Sequence, residues 1–278
     1  MLRPREGYDQ RIIDWRLSIS PKPESFRWIN DVFGNTVGLA RFDGKAKALK
    51  FNCSMEVEHT PQKSPEFEID RAARRYPFAY DASELTDLAP WLALSQAGQN
   101  PEVAKWAKRL LLARKKVDTG QLLMALNNAV RESFIYERRS EMGTQTPGET
   151  LSRGRGTCRD FAVFMMAAAR NLGMAARFVS GYIYVPSRDS AEVRGGGSTH
   201  AWCQVYLPGA GWVDFDPTNG IVGNRDLVRV AVAREPRQAV PISGTYDGLR
   251  QDATTLDVQV LVKRVPEHGA GSDVVGKR

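Results

Sequence analysis

Apolar and polar residues alternate along the first part of the chain. Ile13, Trp15, Leu17 and Ile19 are interleaved with Asp14, Arg16 and Ser18. Leu49, Phe51, Cys53, Met55 and Val57 are interleaved with Lys50, Asn52, Ser54 and Glu56. A period of two predicts half-buried strands. Gly34-Asn35 and Asp43-Gly44 supply turns. Residues 60–80 are rich in Pro, Arg and Tyr, show no clean period and read as a linker. The period then changes. Asn100 before Pro101 makes an N-cap and first-turn pair. It opens a predicted helix to about Lys116, with Val103, Trp106, Leu110 and Leu111 on one face. A second helix is predicted from Thr119 to about Phe134, with Leu122, Leu126, Ala129 and Val130 on its face. Residues 140–157 are rich in Gly and Thr and read as a loop. A third helix runs from Cys158 to Leu172, with Phe161, Met165, Ala168 and Leu172 at helical spacing and Gly173 as its stop. Strand patterns follow over Arg177–Val185, Ala201–Leu207, Trp212–Phe215 and Leu256–Val265, and the tail from Glu267 is expected to fray. There is no internal repeat.

Composition narrows the class. The 278 residues suffice for one large or two modest domains, and 42% apolar with 26% charged residues is ordinary for a globular protein. The formal charge is +7, but the basic residues are scattered, the densest groups being Arg71-Ala-Ala-Arg74-Arg75 and Arg114-Lys115-Lys116. Both read as solvated faces, so no nucleic-acid partner is expected. No apolar run approaches the ~18 residues of a membrane span, and the charged N-terminus Met1-Leu-Arg-Pro-Arg-Glu6 lacks the core of a signal peptide. No membrane partner is expected. Three cysteines, Cys53, Cys158 and Cys203, do not make a disulfide framework. A reducing, cytoplasmic setting is expected, in which free thiols persist.

One of these thiols is placed for chemistry. Cys158 opens a predicted helix directly after Gly154-Arg-Gly156-Thr157. Free N–H groups and the positive end of the helix dipole stabilise a thiolate there. Small residues before it let a substrate approach. Cys53 falls on an apolar strand stripe and Cys203 mid-strand, as small core residues do. A thiolate nucleophile needs an imidazole. Of His59, His200 and His268, the second heads a strand after the Gly195-Gly-Gly197 loop. A carboxylate or amide partner on its Nδ1 is expected to orient the ring. Hairpin pairing of residues 200–207 with 211–216 brings both Asp214 and Asp216 into range. A metal site from His200 and Cys203 is disfavoured, because residues three apart on a strand face opposite ways. No metal or cofactor is expected.

Four ordered blocks carry a resemblance. They are Gly156-Thr-Cys158-Arg-Asp160-Phe-Ala, Asn171-Leu-Gly173-Met-Ala-Ala-Arg177-Phe-Val-Ser-Gly181-Tyr182, Thr199-His200-Ala-Trp202 and Gly211-Trp212-Val-Asp-Phe-Asp216-Pro-Thr218. Together they resemble the transglutaminase-like superfamily in its bacterial and archaeal branch, over roughly residues 120–220. The resemblance implies an α+β, papain-like core, a Cys-bearing helix on an antiparallel sheet. It implies the acid is Asp216, before Pro-Thr, and makes Tyr136 a candidate oxyanion donor and Trp202 a candidate oxyanion or substrate contact. The upstream segment, around Asp31-Val-Phe-Gly34-Asn35 and the strand ending at Glu58, resembles the β-sandwich-like N-terminal domain found beside such cores. By that resemblance a further strand of that domain precedes the Leu2-Arg-Pro-Arg5 segment, so the domain is expected to be truncated here. The expected division is 1–80 and 81–278. Two departures fall off the triad: Gln204 stands where Glu is frequent, and Asp226-Leu227 where a His is usual. The implied activity is acyl transfer on a peptide or protein amide through a thioester. Hydrolysis is expected ahead of cross-linking, with a non-catalytic peptide- or protein-binding module on the same fold as the alternative. The loop 187–199 is expected to shape the substrate site. Composition and motifs name neither the substrate nor an oligomeric state.

Overall fold

The computed structural model describes residues 1–60, 68–95, 98–111, 117–138, 143–184, 199–249 and 255–265. The N-terminal part forms β1 (Gln10–Ser20), β2 (Ser25–Asn30), β3 (Thr36–Arg41) and β4 (Lys50–His59). Next come β5 (Arg75–Tyr76), α1 (Ala82–Leu92), α2 (Pro101–Arg109), β6 (Val117–Asp118) and α3 (Thr119–Ser133). Then follow β7 (Ile135–Tyr136), α4 (Pro147–Arg153), β8 (Arg155–Gly156) and α5 (Cys158–Asn171). The chain continues as β9 (Ala176–Ile183), β10 (His200–Leu207), β11 (Gly211–Asp216), β12 (Ile221–Val222) and β13 (Leu227–Ala233).

The centre is a five-stranded sheet in the order β12-β11-β10-β9-β13, antiparallel throughout. Alternation along β10 sorts its side chains. Ala201, Cys203, Val205 and Leu207 join the main core with α5, while Trp202 joins a second cluster with Val179, Ile183, Leu227 and Val232. The helix α5 is buried on nearly every side, from Asp160 to Arg170. It packs on β9 and β10 and is flanked by α2, α3 and α4. A helix apolar all round belongs inside a core. Its first residue is thereby fixed against the sheet.

The N-terminal strands form two separate antiparallel pairs, β1 with β4 and β2 with β3. Trp15 and Trp28 meet edge to face between them, with ring centres 5.3 Å apart. The alternation predicted in β1 holds for Trp15, Leu17 and Ile19, but a register shift between Ile12 and Asp14 leaves Ile13 47% exposed. This part also closes the outer edge of β13. The side-chain amide of Gln10 donates to Arg229 O (2.7 Å) and accepts from Arg229 N (3.0 Å). The amide of Asn35 does the same with Val232 O (2.8 Å) and Val232 N (2.9 Å). Each amide imitates one step of a neighbouring strand, which is one way an exposed edge is satisfied. A bidentate pair between Arg229 and Asp9 (2.9 and 3.0 Å) ties the two parts together beside them.

Several expectations change. Residues 68–80 are no linker. Ile69 and Ala73 enter the core, β5 pairs with β6, and the Tyr80 hydroxyl donates to Tyr206 O (2.9 Å). The helix α1 escapes a periodicity reading because Pro90 interrupts it and only Leu88 is buried. The expected loop 140–157 contains α4, a seven-residue helix opened by Pro147 and a capping box between Thr146 and Glu149. The first predicted helix ends at Arg109, and residues 112–116 lie outside the described region. The alternating segment Leu256–Val265 is not a strand. The described sheet ends in the two-residue β12 on one side and in the amide-capped β13 on the other.

Asn35→Ala removes the partner of two backbone groups of β13 at a buried position. It is expected to cost about 2–3 kcal/mol, read as a lower midpoint in urea unfolding with an unchanged slope.

Candidate active site

Three elements converge at one end of the sheet. Thr157 caps α5 with its hydroxyl, and Asp160 closes the capping box by accepting from Thr157 N (2.8 Å). The other oxygen of Asp160 accepts from Gln145 N at 2.7 Å, which anchors the preceding loop. An ideal Cβ on Gly156 would lie 2.9 Å from the Asp160 Cβ, so this turn has room only for glycine. The result holds Cys158 at the first position of α5, 7% exposed. Its backbone N–H has no acceptor inside the helix.

His200 heads β10 and Asp216 ends β11, as the antiparallel register dictates. His200 Nε2 and Asp216 Oδ2 are 2.9 Å apart, and the two residues are 1% and 0% exposed. The carboxylate takes further donors: Thr218 N at 2.9 Å, Asn219 N at 3.4 Å and Asn219 Nδ2 at 2.8 Å. Four donors on a fully buried carboxylate offset the cost of its charge. Nδ1 of His200 is buried and makes no full hydrogen bond, and Cys158 is a polar neighbour of the ring. The sequence expectation had the carboxylate on Nδ1. The order is reversed, because the strand end at Asp216 meets the ring from its Nε2 side.

The electrostatics follow from this geometry. Burial opposes a charged His200, but the Asp216 charge, its hydrogen bond and Cys158 more than offset this and push the imidazole up to about 10. Burial alone would raise Asp216, yet His200 and the Asn219 and Thr218 donors hold its carboxyl below the usual carboxylate range. Asp214 differs. Burial pushes its carboxyl up, and it accepts from Trp202 Nε1.

The remaining candidates separate. Tyr136 sits on β7, which pairs in parallel with β8 so that Tyr136 lies opposite Gly156. Its ring packs against Phe161, and burial, then the neighbouring Cys158, push its phenol up. Trp202 is wholly buried with its N–H committed to Asp214, so it offers nothing to an oxyanion or a substrate. Gln204 accepts from Arg177 Nε at 2.8 Å, away from the sulfur. The loop 187–199 falls outside the described residues except for Thr199. The sequence reading missed Asn219. Its signal was the Asp216-Pro-Thr-Asn219 run, in which a side chain returns to bond its own turn. Among the described residues no group of metal-ligating side chains is assembled.

A helix bearing a cysteine at its head, packed on an antiparallel sheet that supplies a histidine and a buried carboxylate, defines a mixed helix-and-sheet protein with a transglutaminase-like core. Residues 105–217 match the transglutaminase-like superfamily, to which this segment belongs, and residues 1–58 match the bacterial transglutaminase-like N-terminal region. An uncharacterized protein of Mycobacterium leprae is 28% identical over 274 residues, covering 95% of this chain and 90% of that one. An uncharacterized protein of Mycobacterium tuberculosis is 26% identical over 279 residues, covering 96% and 86%. The crystal structure of a candidate cysteine protease from Cytophaga hutchinsonii superposes with a TM-score of 0.63 at 20% identity, covering 86% of this chain and 76% of that one. The last likeness is one of fold.

The buried pair gives stability a defined pH dependence. The raised His200 contributes fully below its ordinary 6.5 and loses that contribution as pH rises through about 10. The lowered Asp216 contributes above its ordinary value of 3.8 and loses it as pH falls below that. Asp216→Asn is therefore expected to lower the melting temperature at neutral pH and to flatten its alkaline decline, measured by calorimetry across that range.

Proposed function

We propose that the protein is a cysteine-nucleophile enzyme acting on amide or peptide bonds, with Cys158, His200 and Asp216 as its catalytic residues. The observation that carries this reading is the sulfur at the head of α5 beside His200, whose far nitrogen is held by a fully buried carboxylate. The positive end of the helix and a protonated His200 both stabilise negative charge on that sulfur.

The cycle then runs in two halves. Cys158 Sγ attacks the amide carbon, and the carbonyl oxygen takes up negative charge. The Cys158 backbone N–H donates to that oxyanion, and the Tyr136 hydroxyl is the second donor. His200 delivers its proton to the departing nitrogen, the C–N bond breaks, and an acyl thioester remains. Water then loses a proton to His200, adds to the thioester, and releases a carboxylic acid and the thiolate. Asp216 stays ionised and keeps Nε2 protonated, so that Nδ1 carries the exchanged proton. A primary amine in place of water would give transamidation, and among the described residues nothing in the site selects an amine. Hydrolysis is the simpler reading, on a peptide or protein substrate.

Cys158→Ser is expected to lower amide cleavage by about three orders of magnitude or more while the melting temperature stays near wild type. Acyl donors screened with and without a primary amine supply the assay, and full activity in the serine variant would overturn the mechanism. Tyr136→Phe is expected to lower kcat by about 10²-fold with KM little changed, as loss of a donor made only to the oxyanion requires.

A further inference from the structure

Behind His200 lies a second buried polar assembly that the proposed cycle does not use. The Trp202 ring stacks on the imidazole, with centres 6.0 Å apart and planes 26° from parallel. Its Nε1 donates to Asp214 Oδ1. Both residues are closed to solvent, Trp202 at 0% and Asp214 at 1% exposure. Gln204 also bonds the Asp214 carboxyl, and Gln204 in turn accepts from Arg177. Arg177 lies over Trp212, 4.0 Å from the ring centre, and Arg229, bound to Asp9, is a charged neighbour of Asp214. On its other side, Trp202 fills the space left by Gly181, where an ideal Cβ would sit 2.7 Å from the indole. The indole therefore has one seat, set by glycine on one side and by a single acceptor at its N–H.

The Asp214–Trp202 bond does not itself reach the sulfur. Its effect must pass through the face that Trp202 presents to His200. On the reading of Cys158 and His200 as a reactive pair, that face would shield the His200–Asp216 bond from water and limit rotation of the imidazole. We propose that Asp214 is a positioning residue for the cysteine–histidine pair, acting through the indole N–H of Trp202, and that its hydrogen-bonding oxygen rather than its charge does this. The proposal rests on the reading of Cys158 and His200 as a reactive pair.

Iodoacetamide tests it without a known substrate, because its rate of attack on Cys158 follows the thiolate that His200 supports. The full chain is alkylated across a pH series, with modification at Cys158, Cys53 and Cys203 resolved by peptide mass and folding checked by melting. Asp214→Asn keeps an acceptor oxygen and is expected to reproduce the wild-type pH profile. Asp214→Leu removes it and is expected to shift the Cys158 profile upward by about one pH unit, which is about ten-fold slower labelling near pH 6. Trp202→Phe keeps an aromatic face but loses the N–H, and is expected to shift the profile the same way. It carries the test alone where the leucine variant does not fold. A wild-type profile in Trp202→Phe, or in a folded Asp214→Leu, overturns the proposal. So does an Asp214→Asn profile shifted as far as the leucine one, which would make charge the agent. Failure of the underlying reading looks different: wild-type Cys158 would label no faster than Cys53.

Discussion

A carboxylate with no access to water is the constraint around which this site is built. Asp216 carries its charge inside the protein because four donors converge on it, three of them from its own turn and one from His200. Remove the histidine and the charge is left short of a partner; remove the carboxylate and burial drives the proton off the imidazole. Each makes the other's ionised form the stable one. The sheet exists in the register that lets them meet, with the head of β10 and the end of β11 at the same margin.

The helix side answers a different demand. The proposed nucleophile, the Cys158 sulfur, sits at the first residue of α5, with the helix terminus beneath it, a glycine behind it and a histidine beside it. Burying α5 on almost all sides makes that position rigid, since the helix has nowhere to slide. Tyr136 reaches the same place by another route. Its two-residue strand pairs with the segment just before Cys158, so the phenol and the sulfur share one short piece of framework.

The N-terminal part is joined to this framework at β13, whose outer edge it closes with two side-chain amides and an ion pair. Arg229 belongs both to that junction and to the charged surroundings of Asp214. The matched segment 1–58 is thus tied by polar contacts to β13, the edge strand of the sheet that carries His200 and Asp216.

Local sequence determined a good deal. The helix of Cys158 could be read from its spacing and its Gly173 stop, and the strands of His200 and Asp216 from their apolar runs, because these elements bury the residues that give them their period. The place of Cys158 at a helix head was legible too, from the glycines before it and the apolar period after it. Short or irregular elements could not be read this way: α1 and α4 bury too little to imprint a period, and Leu256–Val265 has the period of a strand yet pairs with none. Hairpin pairing alone left Asp214 and Asp216 as equals, with resemblance favouring the second. Tertiary structure set them apart, giving Asp216 to His200 and Asp214 to Trp202. It also decided which imidazole nitrogen meets the acid. These are questions of direction and distance between side chains, and only the packed sheet fixes them.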